Sequence, residues 1–432
     1  MNTTYDLPRT RATPGELAAA LRDSYATTLR LVGGFSGVQW IGPYLPIVNP
    51  PLWETGHVAW FLERWVLRRS GAPSMLARAD ALYDSGRIAH VARWFLPLPS
   101  PEDTLAYLAR VTNAVLQQLD SGRLSENGEL YYVELSLYHQ DMHNEAFRYM
   151  RQTWGYEDPL GHGIRTAAIQ GDAMPSGDAE VVAGEVELGS RRDAGFVFDN
   201  EKWAHAVAVP AFAIARRAVS NRDFLAFVED AGYRRRELWD DPGWHWREDH
   251  GRRGPLYWRR AEGWQQQVFG RWQALEFDWP VMHVSAYEAE AYCRWAGRRL
   301  PTEAEWQRAA ASAPDTAAGR PYPWGESVPD AVRANLDAPS PVPTSACAAG
   351  DSAWGCRQML GNVWEWTATV FHPFPGFAAD PYEDYSRPWF GTHRVLRGAS
   401  FATKPRLARL AYRNFYTPDR CDVFCGFRTC AP

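Results

Sequence analysis

No run of apolar residues in the 432-residue chain approaches the roughly 20 needed to cross a bilayer. Met1 to Pro14 holds no apolar stretch of the kind a signal peptide carries, so the expected location is cytoplasmic. Charge of one sign is also missing. Lys and Arg total 46 against 51 Asp and Glu, a formal charge of -5, which gives neither nucleic acid nor an anionic membrane an electrostatic reason to bind. Cysteine is scarce and late: six residues, all beyond residue 290, make no disulfide framework in a chain this long. What is abundant is aromatic surface. Aromatics make up 14% of the chain, with 21 Trp, which predicts either an aromatic-rich fold or an aromatic-lined ligand pocket.

Strand-like alternation is scarce in the first 155 residues, where apolar residues recur at three and four positions. Thr13-Pro14-Gly15-Glu16 has the form of a capping box with Pro at the first helical position, and Ser100-Pro101-Glu102-Asp103 places a cap, a Pro and acidic residues in a first turn. With helices expected over 51–69 and 128–154, four long helices result, and a four-helix bundle buries four apolar stripes economically. Residues 156–195, rich in Gly, Ala and Asp, read as a connector. Beyond it lie short apolar runs broken by Gly, Pro, Asn and Asp, with helices expected from Ser220, Ser285 and Thr302, so 196–432 predicts an irregular α+β domain.

That second half carries Phe198-Asp199-Asn200-Glu201, Arg299-Leu300-Pro301-Thr302-Glu303-Ala304-Glu305-Trp306, Pro323-Trp324-Gly325-Glu326, Gly361-Asn362-Val363-Trp364-Glu365-Trp366 and Leu396-Arg397-Gly398-Ala399-Ser400. These runs resemble the signatures of the formylglycine-generating-enzyme-type domain, a C-type lectin-like fold. The resemblance implies that Trp306, Trp324 and Trp364 are structural. It does not imply one chemistry, because that fold hosts oxidases, binders and pseudo-enzymes alike.

The chemistry is better sought in Tyr138-His139-Gln140-Asp141-Met142-His143-Asn144-Glu145. On a helix His139 and His143 leave the same face one turn apart and can share a metal. Asp141 and Glu145 do not share that face, since two residues rotate the helix by about 200°. The third ligand has to come from another helix, and His57 is the candidate, because it lies in the second helix, within Pro50 to Trp60, among residues that otherwise read as core. Only His57, His90, His139 and His143 occur in the bundle. Three imidazoles with open positions suit a redox metal or zinc, and the ligand set alone leaves both open.

A DinB-type bundle with a His in helix two and His-x-x-x-His-x-Glu, fused to a formylglycine-type domain, resembles the ergothioneine-biosynthesis sulfoxide synthase family over essentially the whole chain. The resemblance implies a three-His non-haem iron(II) at His57, His139 and His143, O2 as co-substrate, and hercynine (trimethylhistidine) as the molecule whose imidazole C2 receives sulfur. Glu145 matches the trailing Glu of the motif, which implies support of the ligands rather than ligation. Arg413-Asn414-Phe415-Tyr416-Thr417-Pro418-Asp419-Arg420 stands where family members have Arg-Asn-Trp-Asp followed by Pro and Arg. Asn414 and Phe415 are thereby expected at hercynine, an aromatic face suiting a quaternary ammonium. Arg420 is expected at the donor carboxylate, and Tyr416 replaces an Asp that engages the amino group of γ-glutamylcysteine.

The donor side departs further. Leu82-Tyr83-Asp84-Ser85-Gly86-Arg87 lacks the family's Tyr pair, with Arg87 the expected donor contact, and Met142 stands where many members have Gln. A sister group with this pattern, including Pro46 to Glu54, is the selenoneine synthases, which implies a selenosugar donor and carbon–selenium bond formation. An ergothioneine-type sulfoxide synthase using cysteine or γ-glutamylcysteine is the alternative. Related enzymes use a Tyr as proton or electron donor, with Phe377, Tyr382 and Tyr385 in the corresponding segment. Rivals of other classes are a zinc-dependent DinB-type thiol transferase, a non-enzymatic sugar binder and a copper-dependent formylglycine-generating oxidase. The oxidase needs a Cys pair, and Gly398 to Arg413 contains none.

Overall fold

The computed structural model describes residues 6–160, 173, 175–313 and 319–432. The bundle consists of α1 (Pro14–Val32), α2 (Pro51–Leu62), α3 (Ala79–Tyr83), α4 (Pro101–Asp120) and α5 (Asn127–Trp154). Both predicted caps form: the Thr13 hydroxyl accepts from the Glu16 amide and the Glu16 carboxylate accepts from the Thr13 amide, while Ser100 accepts from the Asp103 amide at 3.1 Å. Every residue of α2 is buried, as expected of the central helix of a bundle. The single helix expected over 51–69 is instead three pieces, α2, a π turn at Glu63–Leu67 and a 3-10 turn at Arg68–Ser70. The register changes where buried Glu63 turns inward to accept from the Tyr107 and Ser74 hydroxyls, and such π turns recur beside functional sites.

The stretch expected to be a connector contains two strands. β1 (Asp178–Val181) pairs antiparallel with β4 (Phe212–Ala215), and β2 (Gly184–Leu188) pairs with β3 (His205–Val209). Strands of four or five residues are too short to show a period, and their partners lie beyond residue 200, so the local pattern hid them. Residues 161–172 and 174 of that expected connector lie outside the described residues. Next come α6 (Asn221–Glu229) and α7 (Asp241–Asp249), then a three-stranded meander of β5 (Trp258–Arg260), β6 (Trp264–Val268) and β7 (Arg271–Ala274). α8 (Ala286–Trp295) and α9 (Glu303–Ala311) precede the main sheet. That sheet has the order β10-β9-β8-β11, with β8 (Trp364–Val370), β9 (Arg394–Arg397), β10 (Asn414–Tyr416) and β11 (Cys425–Gly426).

Trp306 and Trp366 are fully buried, their indoles donating to Glu365 and to the Val284 carbonyl, and Trp364 is buried beside them. Trp324 differs: it is only part-buried, stacked on Tyr322 with ring centres 5.5 Å apart in a surface turn. All six cysteines are buried and unbridged. Among the described residues no helix is long and apolar enough to cross a membrane.

The two halves meet along α5. Asp141 accepts from Arg406 at 2.6 and 2.9 Å, Arg148 donates to the carbonyls of Ala338 and Pro339, and Gln152 donates to the Gln267 carbonyl. These positions and Glu145 follow one another at three and four residues, so they form one face of the helix.

Close packing fixes α2 in place. A Cβ built on Gly56 falls 2.2 Å from the Tyr83 ring. Gly56→Ala is therefore expected to lose about 1–3 kcal/mol through overpacking, although Ala in a helix interior normally gains about 1 kcal/mol over Gly. Chemical denaturation of the two proteins checks the sign.

Candidate functional site

Three imidazoles converge in the bundle core. His57 sits in the second turn of α2, and His139 and His143 are one turn apart on α5. His57 Nδ1 lies 2.8 Å from the Tyr83 carbonyl and His143 Nδ1 lies 2.7 Å from Glu54 Oε1. Each Nδ1 points at an oxygen acceptor, so in the neutral ring the lone pair is on Nε2. Both Nε2 atoms face His139 Nε2, at 3.2 and 3.1 Å. One proton on His139 can serve only one of them, so a cation is the group that satisfies all three. Metal–nitrogen bonds of about 2 Å at the usual 90–110° put ligand nitrogens roughly 2.9–3.3 Å apart, which these separations match. Burial, reinforced by the neighbouring imidazole of His143, holds His57 and His139 well below the usual histidine range, as free bases. The donor set therefore fits a divalent transition metal.

Aromatic rings wall the triad. Phe61 stacks on His139 at 3.6 Å, and Trp53 stacks on His57 at 4.8 Å. From the other half of the chain Tyr382 meets Phe61 edge-on at 4.9 Å and His139 at 6.2 Å. Burial pushes its phenol up to about 12, keeping it protonated at neutral pH. Tyr385 lies one ring further out, 6.3 Å from Tyr382, its hydroxyl 3.4 Å from that of Tyr412. Tyr412 also donates to the thioether of Met142, beside His143, at 3.2 Å. Phe415 stacks on Phe371 at 4.2 Å and meets Tyr385 edge-on at 6.1 Å. The neighbouring Asn414 accepts from the Phe415 amide, and the Arg420 guanidinium lies over the Tyr416 ring at 4.9 Å. One continuous aromatic wall thus runs from the triad to β10.

The comparisons divide the chain as the fold does. The DinB superfamily model matches residues 20–136, and the sulfatase-modifying factor enzyme 1-like domain matches residues 168–431. The hercynine oxygenase of Mycolicibacterium thermoresistibile is 40% identical, covering 96% of this chain and 94% of its own. That of Mycobacterium tuberculosis is 39% identical, covering 96% and 98%. The chain belongs to the hercynine oxygenase family. A formylglycine-generating enzyme of Streptomyces coelicolor, 32% identical, covers only 58% of this chain.

Two residues expected at the site of this hercynine oxygenase relative lie elsewhere. Glu145 touches none of the three histidines; its carboxylate accepts from the Trp364 indole and the hydroxyls of Ser400 and Thr403, tying α5 to the C-terminal half. Its motif position puts it on the face opposite the imidazoles, and the residue that does support a histidine is Glu54, held in turn by Asn49 at 3.1 Å. Arg87 is exposed, with only Asp84 beside it at 3.4 Å. The part-buried guanidinium of that segment is Arg93. It donates to Asn49, covers Trp53 at 4.1 Å, and leaves its Nε without a hydrogen-bond partner. The signal for Glu54 was its spacing, one turn before His57; nothing local separates Arg93 from Arg87, because a 3-10 turn at His90–Trp94 decides which one turns inward. Phe377 packs on Phe390 and makes no ring contact with the triad.

One equivalent of Fe(II) or Co(II) is expected to bind under anaerobic titration, and His139→Ala should abolish that binding. Glu54→Gln should weaken it by about 10–100-fold. Glu145→Gln should leave the metal affinity unchanged while lowering unfolding free energy by about 1–3 kcal/mol, because three buried donors lose their carboxylate.

Proposed function

We propose that the chain is an iron(II)- and O2-dependent oxidoreductase that joins selenium from a selenosugar to imidazole C2 of hercynine. The family supports the coarser part of this reading, hercynine with iron and O2. The selenosugar rests on one observation. The Arg420 guanidinium, the cation expected for a donor carboxylate, is already paired in bidentate fashion with buried Asp422, Nε to Oδ1 at 2.5 Å and Nη2 to Oδ2 at 2.8 Å. Tyr416 adds no charge beside it. A guanidinium neutralised from within suits a neutral, hydroxyl-bearing donor better than an amino-acid thiol.

Iron with O2 supplies the oxidising power, and the chain's own groups supply position and protons. His57, His139 and His143 would hold the metal through their converging Nε2 atoms. Phe415 offers an aromatic face to the trimethylammonium, with Asn414 alongside. Between the two candidate tyrosines, Tyr382 is the proton donor we assign, since it is the one in ring contact with His139 and its phenol stays protonated. Tyr385, bonded to Tyr412, lines the substrate side.

A second reading, sulfoxide synthesis with a thiol donor such as γ-glutamylcysteine, draws support from Arg93, a part-buried guanidinium whose hydrogen bonds go to Asn49 and to backbone carbonyls and to no carboxylate. Anaerobic loading with Fe(II), then O2 and hercynine with either a selenosugar or γ-glutamylcysteine, separates the two by mass spectrometry. The carbon–selenium product is expected; coupling with the thiol alone overturns the donor assignment. Turnover surviving replacement of both His139 and His143 by Ala overturns the iron chemistry, and zinc-supported transfer without O2 uptake points to the thiol transferase class. Tyr382→Phe should lower kcat by about 10²–10⁴-fold, and Tyr385→Phe should act mainly on KM.

A further inference from the structure

The segment carrying Tyr382 and Tyr385 is bound at both ends by buried charge. At its start, Asp380 Oδ1 pairs with Lys202 Nζ at 2.5 Å, and Asp380 Oδ2 accepts from the Tyr131 hydroxyl at 2.9 Å. The Asp380 amide lies 3.4 Å from Asp199 Oδ2. At its end, the buried Ser386 hydroxyl donates to Asp199 Oδ1. One carboxylate, Asp199, therefore spans a loop of seven residues, 380–386, and the preceding residue, Phe198, stacks under Tyr385 at 4.4 Å. Asp199, Lys202, Asp380 and Ser386 are all buried. Charges this deep are costly unless each is fully bonded, and a core needs none of them for stability.

The anchor point is what gives the arrangement meaning. Tyr131 lies on α5 eight residues before His139, about 12 Å along the same rigid helix. Residues 380–386 contain no strand and no α-helix, only a short 3-10 turn at Glu383–Tyr385, so they have no sheet register to hold them. Their position relative to the imidazoles comes through side chains. We propose that Tyr131, Lys202, Asp199 and Asp380 form a clasp that positions Tyr382 against the histidine triad, with α5 as the common reference. These are positioning residues: none of them touches a histidine of the triad, and their effect on turnover passes through Tyr382. The clasp rests on the role assigned to Tyr382 above, and its test separates the two.

Tyr131→Phe and Ser386→Ala each remove one hydroxyl and one hydrogen bond with little change of shape; Lys202→Met removes the buried cation. Hydrogen exchange read by mass spectrometry on the metal-free, full-length protein should rise roughly fivefold or more in peptides covering 380–386, with α2 and α5 unchanged. Metal affinity should stay within about twofold, while kcat falls about 10- to 100-fold at near-constant KM for hercynine. In a Tyr382→Phe background the same substitutions should cause no further loss of kcat. Unchanged exchange in all three variants overturns the clasp whatever turnover does. A loss that adds fully to that of Tyr382→Phe overturns its action through that tyrosine. The exchange measurement needs neither metal nor substrate, so a failure of the reaction assigned above leaves it readable.

Discussion

Helix α5 has to satisfy two neighbours with one set of side chains, and the rest of the molecule is arranged around that constraint. His139 and His143 face the bundle core, while Asp141, Glu145, Arg148 and Gln152 face the C-terminal half. The two sets interleave in sequence and separate in space because about 100° of rotation per residue carries alternate positions to opposite sides. A rigid rod of 28 residues then transmits the position of the metal ligands to everything bonded to its other face. Tyr131 extends the same logic to the loop that carries Tyr382.

Charge in the C-terminal half is resolved internally. Glu303 accepts from both Arg397 and Arg413, Arg428 pairs with Glu365, and Arg409 pairs with Glu201. Removing either partner of such a pair strands a buried ion, so these contacts specify the fold more than they add to its stability. The same habit extends to Arg420, which Asp422 occupies. Arg93 is the exception. Asn49 and Trp53 attend it, neither of them charged, and it lies on the bundle side of the site. Arg420 and Arg93 therefore differ in what they offer an incoming carboxylate.

Much of the fold is legible in the sequence, and the reason differs by region. Caps and apolar spacing act within a few residues, which is why α1, α4 and α5 fall where Thr13, Ser100 and the 128–154 pattern put them. Of the three tryptophans that the C-terminal signatures mark as structural, Trp306 and Trp364 are buried, whereas Trp324 is part-buried in a surface turn. The strands at 178–188 were missed because their partners lie about 17 to 37 residues further along the chain and their length is below one readable period. Helical rotation already sets Glu145 off the face of the imidazoles; the expectation that it supports them came from the family motif, which records order along the chain and not the side of the helix a residue leaves.

The sequence by itself determined the bundle, the two-part organisation and the pair of imidazoles at four-residue spacing, because each depends on local geometry repeated along one helix. Only the tertiary structure decided that His57 completes the triad within 3.2 Å, that Glu54 rather than Glu145 supports it, that Arg93 rather than Arg87 turns inward, and that Tyr382 rather than Tyr385 meets His139. Each of those choices joins residues far apart in the chain or turns on a fraction of a helical turn. The packing of α2, α5 and the 380–386 loop settles them together, since moving any one would leave buried charge or a lone pair without its partner.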